Sequence, residues 1–268
     1  MPSKIEWTEE TWSPVTGCSP VSEGCVNCFA ASIAKRFWKD RKFSEVKCHP
    51  GRLSQPMKWK KPRKIFVCSM SDLFHPEVPF SFIREIWNIT AKCPQHTFML
   101  LTKRPERMLK FTKWMAGWDH ISIAEWPRNC WLGVTAENQE QADKRIPILL
   151  EIPAAVRFVS VEPMLGAVDL RSLKSLELPG CLTHDALLGR NIHHDDDMNW
   201  TDGERLDWVI CGGESGPKAR PMHPDWARSL RDQCVSAGVS YFLKQMHIDG
   251  KLVKMPELDG REWNETPA

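Results

Sequence analysis

The chain predicts an α/β fold in which parallel strands alternate with helices, and three observations carry that expectation. Six apolar runs each end in small or polar residues, helix-compatible segments separate them, and each run is apolar without a break, the pattern of a strand covered on both faces. The runs are KIFVCSMSD from Lys64, TFMLLTKR from Thr97, CWLGVTAEN from Cys130, VRFVSVEP from Val156, DWVICGGES from Asp207 and SYFLKQM from Ser240. A right-handed series of this kind closes into a full or partial barrel, or spreads into a doubly wound sheet. At 268 residues and 42% hydrophobic, the chain can bury the core of one large domain or of one barrel-like domain with insertions.

Ahead of these six runs, ETWSPVTGC supplies a short strand, the seventh. CFAASIAKRFWKD follows as a helix, with Phe29, Ile33 and Phe37 on one face and Lys35, Arg36 and Lys39 elsewhere. Between Lys64 and Thr97, PFSFIREIWNITAKCP repeats Phe82, Ile86 and Ile89 at helical spacing behind a proline suited to a helix start. PDWARSLRDQCVSAG, from Pro224, offers Trp226, Leu230 and Cys234 and closes at Gly238. One segment breaks the repeat: from about residue 169 to 205 the pattern predicts a loop-rich insertion over the rim of the fold, containing NIHHDDDMNW. There His193, His194, Asp195, Asp196 and Asp197 carry metal-binding groups, but neighbours in a run rarely converge on one ion, and a solvated loop is expected. A loop-rich extension from about residue 247, including KMPELDGREWNETPA, ends a single domain over residues 1–268.

Charge and composition restrict the function classes. A formal net charge of +2 argues against bulk attraction to nucleic acid. In KWKKPRK, Lys58, Lys60, Lys61, Arg63 and Lys64 surround Trp59, a mixture suited to phosphates and an unstacked base, although charge runs are usually solvated surface. No apolar stretch approaches the roughly 20 residues of a membrane span, and MPSKIEWTEE lacks a signal-like apolar run, so a cytoplasmic protein without membrane partners is expected. The ten cysteines form no paired framework, which favours reduced thiols and metal ligation over disulfides. Cys68 and Cys211 lie in apolar runs as small hydrophobes, and Cys48, Cys93, Cys130, Cys181 and Cys234 read as structural thiols.

Cys18, Cys25 and Cys28, in TGCSPVSEGCVNCFA, are different. They sit in the loop that caps the first strand at its C-terminal end. Thiolate suits iron-sulfur clusters and zinc, and three thiolates leave one corner of a cubane open for chemistry. Cys48 or His49 offers a fourth ligand, which would instead close a tetrahedral zinc site in a non-enzymatic, nucleic-acid-binding or partner module. Chemistry in parallel barrels collects at the C-terminal strand ends. The polar residues there are Ser69, Ser71 and Asp72; Thr102 and Lys103; Thr135, Glu137 and Asn138; Ser160 and Glu162; Gly212, Gly213, Glu214 and Ser215; and Lys244 with Gln245.

With these residues in place the chain resembles the radical S-adenosylmethionine superfamily, and within it phage and bacterial three-cysteine-motif proteins related to the spore photoproduct lyase branch. The matching stretches are TGCSPVSEGCVNCFA, CSMSDLFHPEVP, LLTKRPERM, GVTAENQEQADKRIP, VSVEPMLG, CGGESGPKARPMHP and FLKQ. Two features depart from the superfamily's usual form: the first cysteine gap is C-x6-C rather than C-x3-C, with Asn27 in the usual aromatic place, and CSMSDLF stands where a glycine-glycine-glutamate stretch is common. The resemblance implies a partial (β/α) barrel, a [4Fe-4S] cluster held by Cys18, Cys25 and Cys28, and cleavage of S-adenosyl-L-methionine to a 5′-deoxyadenosyl radical that abstracts hydrogen. It further implies Ser69, Ser71 and Asp72 at the methionyl amine, Thr135 and Glu137 at the ribose, and Ser160 and Glu162 at cofactor or substrate. Lys103, Glu214, Arg220 and Lys244 fall to substrate contact. The lyase-like relationship and the basic stretches favour a nucleic acid base or nucleotide as substrate over a peptide or small metabolite, which stay open, with an electron donor and a phage or defence-system protein as partners.

Overall fold

The computed structural model describes residues 5–119, 125–174, 181–193 and 200–267. Two compact units divide the chain: Met1–Gly133 with Ile152–Ala155, and Val134–Glu151 with Val156–Ala268.

The first unit contains β1 (Glu10–Trp12), β2 (Val15–Thr16), α1 (Phe29–Phe37), β3 (Lys47–Cys48), β4 (Lys64–Val67), α2 (Phe80–Lys92), β5 (Thr97–Thr102) and α3 (Pro105–Asp119). Strand β6 (Cys130–Thr135) begins in this unit and ends in the next. Strands β1, β4 and β5 run parallel, with Glu10 opposite Ile65 and Lys64 opposite Thr97. The short strand expected from ETWSPVTGC is β1. Trp12, Ile65, Val67, Phe98, Met99 and Leu100 from these strands are buried, as are Ile83 and Ile86 of α2. Within α2, Ile86 and Ile89 are buried as their spacing implies, whereas Phe82 is half-buried and Ile83 takes the inner position.

Helix α1 forms where its spacing predicts, but with a different inner face. Ala30 and Ala34 are its buried residues, while Phe29 and Phe37 are 52% and 64% exposed. An apolar stripe gives the helical period without saying which side meets the core, and here the buried side lies one residue, about 100° of helical turn, from the aromatic stripe.

The second unit contains α4 (Gln139–Leu150), β7 (Val156–Val161), β8 (Leu173–Lys174), β9 (Cys181–Asp185), β10 (Arg190–His193), β11 (Trp200–Asp202), β12 (Trp208–Gly212), α5 (Pro224–Ala237), β13 (Ser240–Ile248), β14 (Lys251–Lys254), β15 (Glu257–Leu258) and β16 (Arg261–Glu262). Strand β12 lies between β7 and β13, parallel to both, and β14 returns antiparallel along β13. Every residue of β12 is buried, in keeping with an unbroken apolar run covered on both faces. Helix α5 starts with Pro224 in its first turn and ends at Gly238, whose φ of 67° is the left-handed cap that glycine adopts without strain. Both units are α/β, with parallel strands and connecting helices.

Two stretches expected to be loop-rich carry strands. In the insertion, β8, β9, β10 and β11 form an antiparallel sheet in the order β11-β10-β9-β8. Along β9 to β11, polar residues alternate with few apolar ones, a pattern too weak to separate a small two-sided polar sheet from a loop. His193 belongs to β10, while His194, Asp195, Asp196 and Asp197 lie outside the described residues. Near the C-terminus, Asp249-Gly250 and Asp259-Gly260 take positive φ at both positions (49° and 75°, 56° and 78°), turning β13 into β14 and β15 into β16. Asp-Gly is the preferred pair for such hairpin turns.

Candidate functional site

In the first unit the cysteine loop is tied to the ends of the parallel strands. After β2 the chain turns at Gly17, whose φ is 95° and whose N–H donates to the Met70 carbonyl at 3.0 Å. A Cβ there would stand 2.2 Å from the Glu45 carbonyl oxygen, so only glycine fits. Cys18 N–H then donates to the Phe43 carbonyl at 2.9 Å. Cys25 closes a short 3-10 turn from Glu23, and Cys28 is the N-cap residue of α1. All three thiols are partly exposed. The loop therefore does sit at the C-terminal end of β1.

Arg104, directly after Lys103, organises this loop. Its Nη1 reaches Cys18 Sγ at 3.6 Å and Asp72 Oδ2 at 2.9 Å, and its Nη2 donates to the Ser19 carbonyl at 2.8 Å and the Ser19 hydroxyl at 3.2 Å. His75 Nδ1 accepts from Glu77 N–H at 3.2 Å, which assigns the ring proton to Nε2, 2.7 Å from Ser19 Oγ. Asp72 Oδ1 accepts from Phe74 N–H and Thr102 Oγ1, and Oδ2 from Lys103 N–H and Arg104. Two donors on each carboxylate oxygen fill its acceptor positions, so Asp72 holds the loop and Arg104 rather than presenting an open acceptor to a cofactor amine. Ser71 donates its hydroxyl to the Val15 carbonyl at 2.9 Å and also engages the Cys68 thiol. Ser69 is half-buried one turn away.

The thiols differ electrically. Burial pushes the Cys18 thiol up and the Asp72 charge adds to that, while Arg104 pulls the other way without cancelling it. Burial also opposes ionisation of Cys25, but the Lys103 ammonium, backbone hydrogen bonds at Val21 and Ser22, and the Ser22 hydroxyl outweigh it and lower that thiol. Lys103 thus faces the cysteine loop.

Other cysteines behave as small hydrophobes. Cys68 and Cys211 are fully buried, with thiols raised to about 12 by burial. Cys68 also adopts a φ of 63°, turning the end of β4 into the Ser69–Asp72 segment. Cys48 lies in β3, and His49 Nε2 is engaged by the Thr16 hydroxyl at 2.7 Å. Among the described residues, no group of three His, Cys, Asp or Glu side chains surrounds a point as a single metal ion requires. A cubane binds each thiolate to a different iron and so spreads its ligands around a larger body. Three thiols of soft character, backed by the cations Lys103 and Arg104, fit such a cluster in donor type and charge.

The second unit holds its polar residues in separate small clusters. Fully buried Glu137 is bound to Arg145 at 2.8 Å, and the same guanidinium caps the Thr135 carbonyl at 2.7 Å. Asn138 caps α4 by accepting from Gln141 N–H. Ser160 is buried, and its carbonyl accepts from Ala136 N–H. Glu162 Oε1 receives Lys244 Nζ at 2.5 Å and Gln245 Nε2 at 3.3 Å, beside Gly212, where a Cβ would come within 3.2 Å of the Glu162 carboxyl carbon. Arg220 clasps Glu214 through two nitrogens, at 2.9 and 2.5 Å. Ser215 is half-buried in the loop after Glu214. The structure thus brings Glu162, Lys244 and Gln245 together, and Glu214 with Arg220.

A family model described as Protein of unknown function (DUF5131) matches residues 2–267. The chain belongs to that family. Searches of the curated proteins and of the solved structures give no match. Within this family member, Arg104, Ser19 and His75 are the site residues that sequence reasoning missed. For Arg104 a signal was present, a second cation directly after the strand-end Lys103 in LLTKR. Ser19 and His75 carry none, because their role comes from a contact across 56 positions of sequence.

Proposed function

We propose that the protein is a radical S-adenosylmethionine enzyme with a partial (β/α) barrel of that type, acting on a nucleic acid base or nucleotide. The observation that carries the reading is the Cys18–Cys25–Cys28 loop at the end of β1, hydrogen-bonded to Arg104, which links it through Asp72 to the ends of β4 and β5. When bound, a [4Fe-4S] cluster would supply one-electron reductive cleavage of S-adenosyl-L-methionine, releasing methionine and providing the hydrogen-abstracting chemistry. Cys18, Cys25 and Cys28 would hold it. Arg104 orients Cys18 and offsets thiolate charge, and the Lys103 ammonium offsets charge at Cys25. Ser71 and Ser69 beside it are the residues assigned to the methionyl amine. In the second unit, Lys244 held on Glu162 supplies a fixed cation for substrate. Thr135 is assigned to the ribose through its hydroxyl, since the Thr135 carbonyl and the Glu137 carboxylate are both held by Arg145.

An outside electron donor is required, and the cytoplasm, with its reduced thiols, is the compartment that suits the chemistry. Among the described residues no helix is long and apolar enough to cross a membrane. Anaerobic reconstitution tests the reading. A brown protein with iron, acid-labile sulfide and reductive cleavage of S-adenosylmethionine to 5′-deoxyadenosine is expected. A colourless protein with stoichiometric zinc and no cleavage overturns it.

A further inference from the structure

The chain's charge is distributed unevenly. Between Lys35 and Lys64 lie twelve Lys and Arg residues against only Asp40 and Glu45, a formal +10, whereas the whole chain carries +2 and the remaining residues therefore −8. Nine of these cations, Lys35, Arg36, Lys39, Lys42, Lys47, Arg52, Lys58, Lys60 and Lys61, are exposed. This segment is not a loose tail. Arg41 donates to the Thr16 hydroxyl at 2.6 Å, His49 N–H to the Pro14 carbonyl at 2.7 Å, and Arg52 Nη1 to the Ser13 carbonyl at 3.1 Å. The Trp12 indole returns a bond to the Arg52 carbonyl at 2.8 Å. Its residues 41–52 are therefore laid along residues 12–18, the strand that delivers Cys18, and its other end begins in α1, which starts after Cys28.

Flat rings are interleaved with the cations. Phe37 is exposed beneath the Arg36 guanidinium, Trp38 carries Arg41 at 3.9 Å from its centroid, and Trp59 carries Arg63 at 5.6 Å. Cations that track a backbone, together with rings on which bases stack, make a single-strand platform. A base presented to the cysteine loop must also be out of its stack, which favours a single strand over a duplex.

We infer that residues 35–64 form a binding surface for single-stranded nucleic acid, running to the rim of the cysteine loop. The choice of ligand deepens the substrate assignment above, but binding is read without turnover, so the two fail separately. An acidic protein is the competing ligand for such a surface; alternation of rings with cations over 30 residues favours the nucleic acid.

The test is fluorescence anisotropy of a labelled single strand of about 20 nucleotides, DNA and RNA, with the reconstituted full chain. Binding should weaken by about 300-fold between roughly 50 and 200 mM salt if about six phosphates are contacted. Two variants, Lys35→Glu/Lys39→Glu/Lys42→Glu and Lys58→Glu/Lys60→Glu/Lys61→Glu, should each bind at least about tenfold more weakly, with a salt slope shallower by about 2. Wild-type circular dichroism confirms that each has folded. Lys251→Glu, on β14, should bind as the parent does. Salt-insensitive binding, unchanged affinity in both triple variants, an equal loss in Lys251→Glu, or displacement by polyglutamate as effective as by nucleic acid each overturns the inference. Binding with no cleavage of S-adenosylmethionine would leave the surface standing and remove the radical reading instead.

Discussion

Arg104 and Cys18 stand 86 residues apart in sequence and 3.6 Å apart in the structure, with the guanidinium nitrogen that meets the sulfur also held by Asp72. A planar cation shared by a thiol and a carboxylate does two things at once: it fixes where the sulfur points and compensates the charge a metal-bound thiolate brings.

Removing that cation leaves Asp72 buried without its counter-ion, since the two side chains are only 10% and 9% exposed. Arg104→Met should therefore destabilise the fold by about 3 kcal/mol, and Arg104→Met/Asp72→Asn by less than the sum of the single changes. Urea unfolding measures both. In reconstituted Arg104→Met the reduction potential should fall, because a charge-assisted donor to sulfur stabilises the reduced form; an unchanged potential assigns Arg104 to folding alone.

Cys18→Ala, Cys25→Ala and Cys28→Ala should each lose most of the iron and acid-labile sulfide after reconstitution, while Cys48→Ala keeps both. Equal loss in Cys48→Ala points to a fourth thiol ligand and to the zinc reading.

Cys18 and Cys25 should titrate apart. Cys25, lowered chiefly by Lys103 against the pull of burial, reaches its thiolate at lower pH than Cys18, which burial raises. In the metal-free chain near neutral pH, iodoacetamide should modify Cys25 before Cys18, and Lys103→Met should slow the reaction of Cys25. Peptide mass spectrometry gives the order, and modification of Cys18 first contradicts it.

Alkali should unfold the chain from about pH 9 upward. Cys68, Cys130 and Cys211 are raised to about 12 in the folded state from an ordinary value of 9.0. Between those values the unfolded chain has lost protons that the folded chain keeps, so stability falls as pH rises, by about 1.4 kcal/mol per pH unit for each such thiol. Cys211→Ala should make the fall shallower by one thiol's share. A slope unchanged in that variant sinks the assignment.

Gly17→Ala should cost about 1–3 kcal/mol, because φ of 95° is strained for alanine and its Cβ meets the Glu45 carbonyl. The displaced turn carries Cys18, so cluster incorporation should drop in the same variant while Gly51→Ala, with open space around its Cα, behaves as the parent.

By itself the sequence determined the α/β class, the parallel strands from the runs beginning at Lys64, Thr97, Val156, Asp207 and Ser240, and the placing of three thiols at the end of β1. Those follow from local pattern, since an unbroken apolar run and a cysteine spacing are read within a few residues. Only the tertiary structure decided which face of α1 is buried, that the 169–205 excursion carries antiparallel strands, and that Asp72 is filled by Arg104, Thr102 and two backbone amides. Each of these depends on contacts between distant positions, and a hydrogen-bond acceptor shows whether it is free or spent only when its partners have been brought to it.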